Sequence, residues 1–598
     1  MESKVLKKRG EIQEKDKWAV NEIYSCDEEW EREYKELQEE APKLKDFEGK
    51  LGDAKVLEEY FEVNEKTSRK AEKIYVYAHL RSDEDTSNTT YQAMMNKIDA
   101  YMAEYATYTA YVVPEILALP DGTIEKLMNE NKGLEPYKFL IENILKEKPH
   151  VLDKKEEELL AAASDCLDAP SSIHNIMTNA DMKFGNIKDE DGEEVELTEG
   201  NYSSFIKSKD RNVRKAAFER LFGEYKSFEN TLATTLSSSI KVFNFGAKIR
   251  NYNSALEASL KPNDIPTEVY TNAVKTINDN LSSLHRYVKL KKKLLGLEEM
   301  HMYDLYVSVI EVPKERVEFD KAVEMAVEGL NPLGKEYLDI FQGGINGGWI
   351  DKYINKGKRG GAYSWGGYDT KPYVLLNYNY ELNDVSTLVH EMGHSIHSYY
   401  SRKEQSYYYA GYTLFCAEVA STTNEALLIH HLINKETDKK KKLYLINQEL
   451  EQIRTTVFRQ LMFAEFELYT HESFEKGLPL TAQDYNAKWH ELNVKYFGPD
   501  MVVDSDIDVE WSRIPHFYSD FYVYQYATGY AAASAFANSI LNGEKDAVEK
   551  YVGFLKSGGS DYPIEILKKA GVDMTTSKPL EATINRFNEL LDMLEKEI

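Results

Sequence analysis

Apolar residues recur at three- and four-residue spacing through most of this 598-residue chain, and that period commits it to helices. The spacing is clear over 55–80 and 91–118, resumes over 209–247, and continues through 266–296 and 315–340. Only 16 prolines and 32 glycines interrupt it, too few for a protein of many short strands. Asp27-Glu28-Glu29-Trp30 reads as a helix start, with Asp27 as cap and acidic groups at the positive end of the helix dipole. Lys439–Lys442 reads as a solvated helix turn.

Two stretches depart from the pattern. Residues 182–198 place Asp191-Gly192 between two short alternating runs, a hairpin signal. Residues 357–380, GKRGGAYSWGGYDTKPYVLLNYNY, are the least helical part of the chain. There Gly360-Gly361-Ala362-Tyr363 predicts a turn, and Pro372 precedes a strand-like run, Tyr373 to Asn377. Such a strand either offers backbone groups to an extended peptide or only supports the helix that follows.

That helix carries the chemistry. Asn383 or Asp384 can cap it, with an interior over about 385–402. It contains His390-Glu391-Met392-Gly393-His394. Two histidines four apart lie on one helix face, one turn above the other, so both can ligate one zinc ion. Glu391 sits one position round, placed to take a proton from water without ligating the metal. His397 extends the pattern by a further turn. The metzincin motif needs Gly at 397 and His at 400, whereas this chain has His397 and Tyr400, so that class is excluded. His397 reads as a packing residue or a partner to a ligand, not as a ligand. For a third ligand two glutamates compete on a second helix over 415–426, Glu418 and Glu425, seven residues apart and facing the same way. If one binds the metal, the other is placed to hydrogen-bond the outer nitrogen of a ligand histidine.

Charge and cysteine content bound what else such a protein does. A net charge of −27 argues against binding a nucleic-acid backbone, which needs a basic face. Cys26, Cys166 and Cys416 are far apart and odd in number, which points to a reducing compartment rather than a disulfide framework. The first residues lack the apolar core of a secretion signal, and no apolar run is long enough to span a membrane. A cytoplasmic location with no membrane partner is expected.

With these residues in view, the chain resembles oligoendopeptidase F, within the thimet-oligopeptidase-like family of zinc peptidases. The resemblance spans nearly the whole sequence. It is carried by DKWAVNEIYSCDEEW at 16–30, GKRGGAYSWGGYDTKPYVLLNY at 357–378, LVHEMGHSIHSYY at 388–400, FCAEVASTTNEALL at 415–428 and IPHFYSDFYVYQYATG at 514–529. It implies His390, His394 and Glu418 as ligands of one Zn2+, Glu391 as general base and acid, and Glu425 as a residue that supports a ligand. It also implies a C-terminal histidine and tyrosines that close on the substrate carbonyl. His516 fits the histidine. Tyr524 is the favoured tyrosine, ahead of Tyr522, with Tyr518 and Tyr526 behind them.

The expected fold is mainly α, an elongated multi-helix zincin-type peptidase with helical lobes flanking a deep channel and a small β element near the metal helix. Residues 1–195 are expected as an N-terminal helical lobe and 196–598 as the catalytic domain. The implied activity is zinc-dependent endopeptidase cleavage of internal bonds in short, unfolded peptides, with Gly360, Gly361, Ala362, Tyr363 and Tyr373 holding the substrate backbone. One rival is an exopeptidase using the same metal chemistry, which needs a fixed cation for the terminal carboxylate; no residue announces itself as that. The other is a peptide-binding scaffold with a relic site, against which the intact Glu391 argues.

Overall fold

The computed structural model describes residues 6–310, 312 and 315–597. Among them are 25 α-helices and seven strands, none of the strands longer than six residues. The mainly α class expected from the apolar period is what the chain adopts. The helices over 55–80 and 91–118 run as Ala54–Glu84, Thr89–Thr109 and Val112–Ala118. The longer stretches are divided. Residues 209–247 form Arg211–Ser227 and Glu229–Ile249, with Phe228 out of helical geometry between them. Residues 315–340 divide at Asn331-Pro332, where proline cannot donate to the preceding turn. Asp27 is the first helical residue of Asp27–Glu40 and Cys26 its cap. The predicted hairpin is present, Asn186–Lys188 pairing antiparallel with Glu194–Glu196. Gly192 supplies the positive φ that its turn requires.

The chain folds into two compact units, each assembled from three segments. The first comprises Met1–Lys148, Lys314–His431 and Phe536–Gly571; the second comprises Pro149–Pro313, Leu432–Ala535 and Val572–Ile598. The expected boundary at 195/196 falls inside the first segment of the second unit. Compactness here follows contacts far apart in sequence, which a single cut along the chain does not capture.

In the first unit, helices between Asp27 and Lys146 bury a continuous core that includes Trp30, Leu37, Leu57, Ile74, Leu80, Ile98 and Ile141. Tyr373 and Leu375 of a three-stranded sheet pack into the same core. The sheet order is Ile350–Tyr353, Tyr373–Tyr378, Tyr363–Trp365, the first pair parallel and the second antiparallel. The longest strand is therefore central, hydrogen-bonded on both sides. Tyr363–Trp365 is an edge, and the Ser364 hydroxyl lies 2.8 Å from that of Ser395 on the next helix.

That helix, Leu382–Glu404, starts before the expected 385. Asp384 is its third residue rather than its cap, and accepts the backbone N–H groups of Asn379 and Glu381 at 2.8 Å each. Leu388, Val389, Met392 and Ile396 are fully buried. Each contributes about 2 kcal/mol of transfer free energy toward holding the histidine-bearing face in place.

Candidate metal centre

Two packed helices build the site. His390 and His394 project from Leu382–Glu404, and Glu418 projects from Leu414–Lys435. Gly393, between the histidines, lets the helices touch: a Cβ there would lie 2.7 Å from the Cα of Ser421. Asn424 locks the pair, donating to the Val389 carbonyl at 3.0 Å while its own oxygen accepts from Tyr337 at 2.8 Å.

The three donor atoms lie at the corners of a small triangle. His390 Nε2 and His394 Nε2 are 3.2 Å apart, and each is 3.4 Å from Glu418 Oε2. Tetrahedral bonds of about 2.0–2.1 Å to nitrogen and oxygen require donor separations of about 3.3 Å, so one face of such a polyhedron is already formed. Among the described residues this is the single cluster of histidine, cysteine and carboxylate groups with that closeness. Two imidazoles and a carboxylate also suit zinc chemically.

Glu425 does what the spacing permitted: its Oε2 is 3.2 Å from His390 Nδ1, and Oε1 accepts from the Ser386 hydroxyl at 3.1 Å. Glu418 is held in turn by the Ser421 hydroxyl at 2.8 Å. Ser386 and Ser421 went unnoticed in the sequence: Ser421 stands one helical turn from Glu418, whereas Ser386 reaches Glu425 from the other helix, 39 residues away. The electrostatics favour a cation. Burial alone would push His390 down, but Glu425, with Glu418 and Glu391, reverses that and raises it to about 9. Burial likewise opposes ionisation of Glu418, yet His394 and His390 hold it at about 2. Glu391 is 7% exposed, and burial raises its pKa against the pull of both imidazoles. That suits a carboxylate that must take up and release a proton.

His397 packs instead of reaching the triangle. Its ring stacks on Tyr412 at 3.8 Å and abuts Phe554 at 5.1 Å, and burial drives its pKa down to about 3, so it is neutral. Gly360 and Gly361 are exposed, and Asn377 donates to the Gly361 carbonyl at 2.8 Å. Ala362 leads into the edge strand, where the Tyr363 hydroxyl donates to Asp83 at 2.7 Å. Tyr373 lies elsewhere: its side chain is fully buried against Trp18 and donates to the Ala19 carbonyl. Its strand is central and already paired on both sides, so Tyr373 is corrected from a substrate contact to a core residue.

His516 belongs to the second unit, and burial lowers its pKa. Tyr522 stacks over it at 6.1 Å between centroids, and the Tyr526 hydroxyl is 3.4 Å from its Nε2. Both tyrosines are half-buried. Tyr524, favoured on sequence, is 1% exposed, with its ring 5.0 Å from that of Tyr270 and its pKa raised by burial. Tyr518 bonds Thr235 and stacks near His174. Six aromatics in eleven residues gave no sign of which would face inward.

Comparison with known proteins is consistent across the chain. The family model described as Peptidase family M3 matches residues 204–586, and that described as Oligopeptidase F matches 115–184. Oligopeptidase PepF of Bacillus subtilis is 48% identical over 99% of this chain and 88% of its own length. The crystal structure of oligoendopeptidase-F from Enterococcus faecium, 40% identical, covers 96% of this chain and 99% of its own, with a TM-score of 0.73. A Chlamydophila abortus protein solved as a candidate peptidase is 36% identical and superposes with a TM-score of 0.95 over 99% of this chain and all of its own.

Proposed function

The chain belongs to peptidase family M3, and from that premise we propose that it is a zinc metalloendopeptidase cutting internal bonds of short oligopeptides. The observation that carries the reading is the triangle of His390, His394 and Glu418 donors at 3.2–3.4 Å with Glu391 on the same helix. Zinc bound by these three residues supplies a Lewis acid that acidifies water and polarises a carbonyl. Glu391 takes the proton of the attacking water and delivers it to the leaving amine nitrogen; its burial lets it keep that proton between the two events. Glu425 fixes the ring of His390 through Nδ1.

The edge strand Tyr363–Trp365 pairs with the substrate backbone, led by Gly360, Gly361 and Ala362. His516 and a tyrosine donate to the carbonyl oxygen as negative charge builds. The burial of Tyr524 moves that tyrosine role to Tyr522, beside His516. The relatives named oligopeptidase support a short-peptide substrate. Three free cysteines support a reducing, cytoplasmic setting, and no described helix is long and apolar enough to cross a membrane.

The test is cleavage of a peptide of about ten residues, the scale of an oligopeptide substrate, blocked at both ends and mapped by mass spectrometry. Internal products that vanish on chelation and return with zinc support the proposal. Activity confined to peptides with a free terminus would replace it with an exopeptidase.

A further inference from the structure

Among the described residues only five other than glycine have positive φ, and three of these are Asn or Asp, which tolerate that region. Phe521, at φ +59°, is not of that kind. A bulky residue so held costs of order 1–3 kcal/mol and persists only where its surroundings impose it. The position matters because Phe521 lies in the short turn between His516 and Tyr522. Ser519 N–H donates to the His516 carbonyl at 2.9 Å, and Tyr522 N–H donates to the Ser519 carbonyl at 3.1 Å. Tyr522 is thereby folded back over the His516 ring.

One helix imposes this turn. Glu467 and His471, one helical turn apart on Arg459–Glu475, face it together. The Glu467 carboxyl accepts the Phe521 N–H at 2.7 Å, and His471 Nε2 is 3.1 Å from Asp520 Oδ1. Asn244 donates to His471 Nδ1 at 3.0 Å, which leaves Nε2 as the ring nitrogen beside Asp520. Ser259 donates to the Asp520 carbonyl at 3.1 Å. Both clamp residues are 2% exposed, and the Phe521 ring closes the arrangement at 4.5 Å from His471. A glutamate and a histidine buried this deeply serve neither the metal triangle nor any surface charge.

We propose that Glu467 and His471 are positioning residues that hold Phe521 in its left-handed conformation and so set Tyr522 against His516. This rests on the reading above that His516 and Tyr522 donate to the substrate carbonyl. The clamp touches no substrate and acts only through those two side chains.

The experiment measures kcat, KM, zinc content and melting temperature on the doubly blocked peptide. Wild type is compared with Glu467→Leu, Glu467→Gln, Asp520→Ala, the His516→Ala/Tyr522→Phe pair, and that pair with Glu467→Leu added. Glu467→Leu and Asp520→Ala are expected to lower kcat by about tenfold or more with KM and zinc content unchanged, the scale of loss that small misplacements produce. Glu467→Gln, whose amide oxygen still accepts the Phe521 N–H, restores most of kcat. In the His516→Ala/Tyr522→Phe background Glu467→Leu causes no further loss. Asp520→Ala carries the same test at a half-buried position, should Glu467→Leu not fold. The inference is overturned if these variants change only the melting temperature, or if Glu467→Leu costs the same factor with and without His516 and Tyr522. If the His516→Ala/Tyr522→Phe pair alone leaves kcat intact, the donor assignment itself fails, and the clamp's role with it.

Discussion

Gly393 and Ser421 touch backbone to backbone: a side chain on the first would sit 2.7 Å from the Cα of the second and 2.9 Å from the Ala420 carbonyl oxygen. Because neither is the end of a flexible side chain, the two helices that carry His390, His394 and Glu418 must separate to admit even a methyl group. Gly393→Ala is therefore expected to cost about 1–3 kcal/mol of stability, the usual range for overpacking. It should also weaken zinc binding, since separation moves Glu418 away from both histidines. Melting curves and chelator competition check this; a variant with unchanged zinc affinity would show that the site tolerates a wider helix spacing.

Glu425 contacts His390 on the side away from the triangle. Glu425→Gln keeps the shape and removes the charge that helps hold that imidazole in orientation. Zinc affinity should fall by about 10–100-fold, the usual effect of losing such a partner. Turnover at saturating zinc should be less affected. Equilibrium titration against a chelator of known affinity reads this directly.

Much of this site was legible in the sequence because it is local. A histidine pair four apart and a glutamate between them need only a helix to share a face, and the apolar residues around Val389 guaranteed a buried one. The choice between Glu418 and Glu425 was not local: it depends on where Gly393 brings the second helix. The same limit explains Tyr373, which reads like a strand residue but sits in the central strand, because its neighbours come from 350–353 and 363–365. It explains Tyr524 as well, since a run of tyrosines announces burial without saying which ring is buried. It also explains why a boundary at 195 misses units assembled from three separated segments each.

The edge strand gives a prediction on substrate binding. The Tyr363 hydroxyl donates to Asp83, which is itself 3.1 Å from His79. Tyr363→Phe removes one hydrogen bond worth about 1 kcal/mol and should raise KM for blocked peptides by about fivefold, with kcat little changed. A fall in kcat at constant KM would mean that the strand positions the reacting bond rather than binding the chain.

In the second unit Glu451 pairs with Lys291 at 2.8 Å and with Arg454 at 2.6 Å, and accepts from Tyr287. Burial opposes its charge, but Arg454 and Lys291 prevail and hold the carboxyl at about 2, below its ordinary 4.5. A depressed folded pKa means stability that is complete above the unfolded value and is lost as pH falls through the folded one. Glu451→Gln should thus cost about 3 kcal/mol at neutral pH, as expected when one partner of a buried ion pair is removed. The gap between variant and wild type should narrow from about pH 4.5 downward and close near pH 2. Denaturant unfolding across that range tests the sign; a gap independent of pH would contradict it.

In the proposed mechanism Glu391 moves the proton while His390, His394 and Glu418 hold the zinc. Its most direct test is Glu391→Gln beside wild type, with zinc content and cleavage of a doubly blocked peptide measured on the same preparations. One zinc per chain is expected in both proteins, with internal cleavage by wild type and a loss of kcat of at least about a hundredfold in the variant, within the range for a general base. Full zinc occupancy in Glu391→Gln with undiminished cleavage would contradict it.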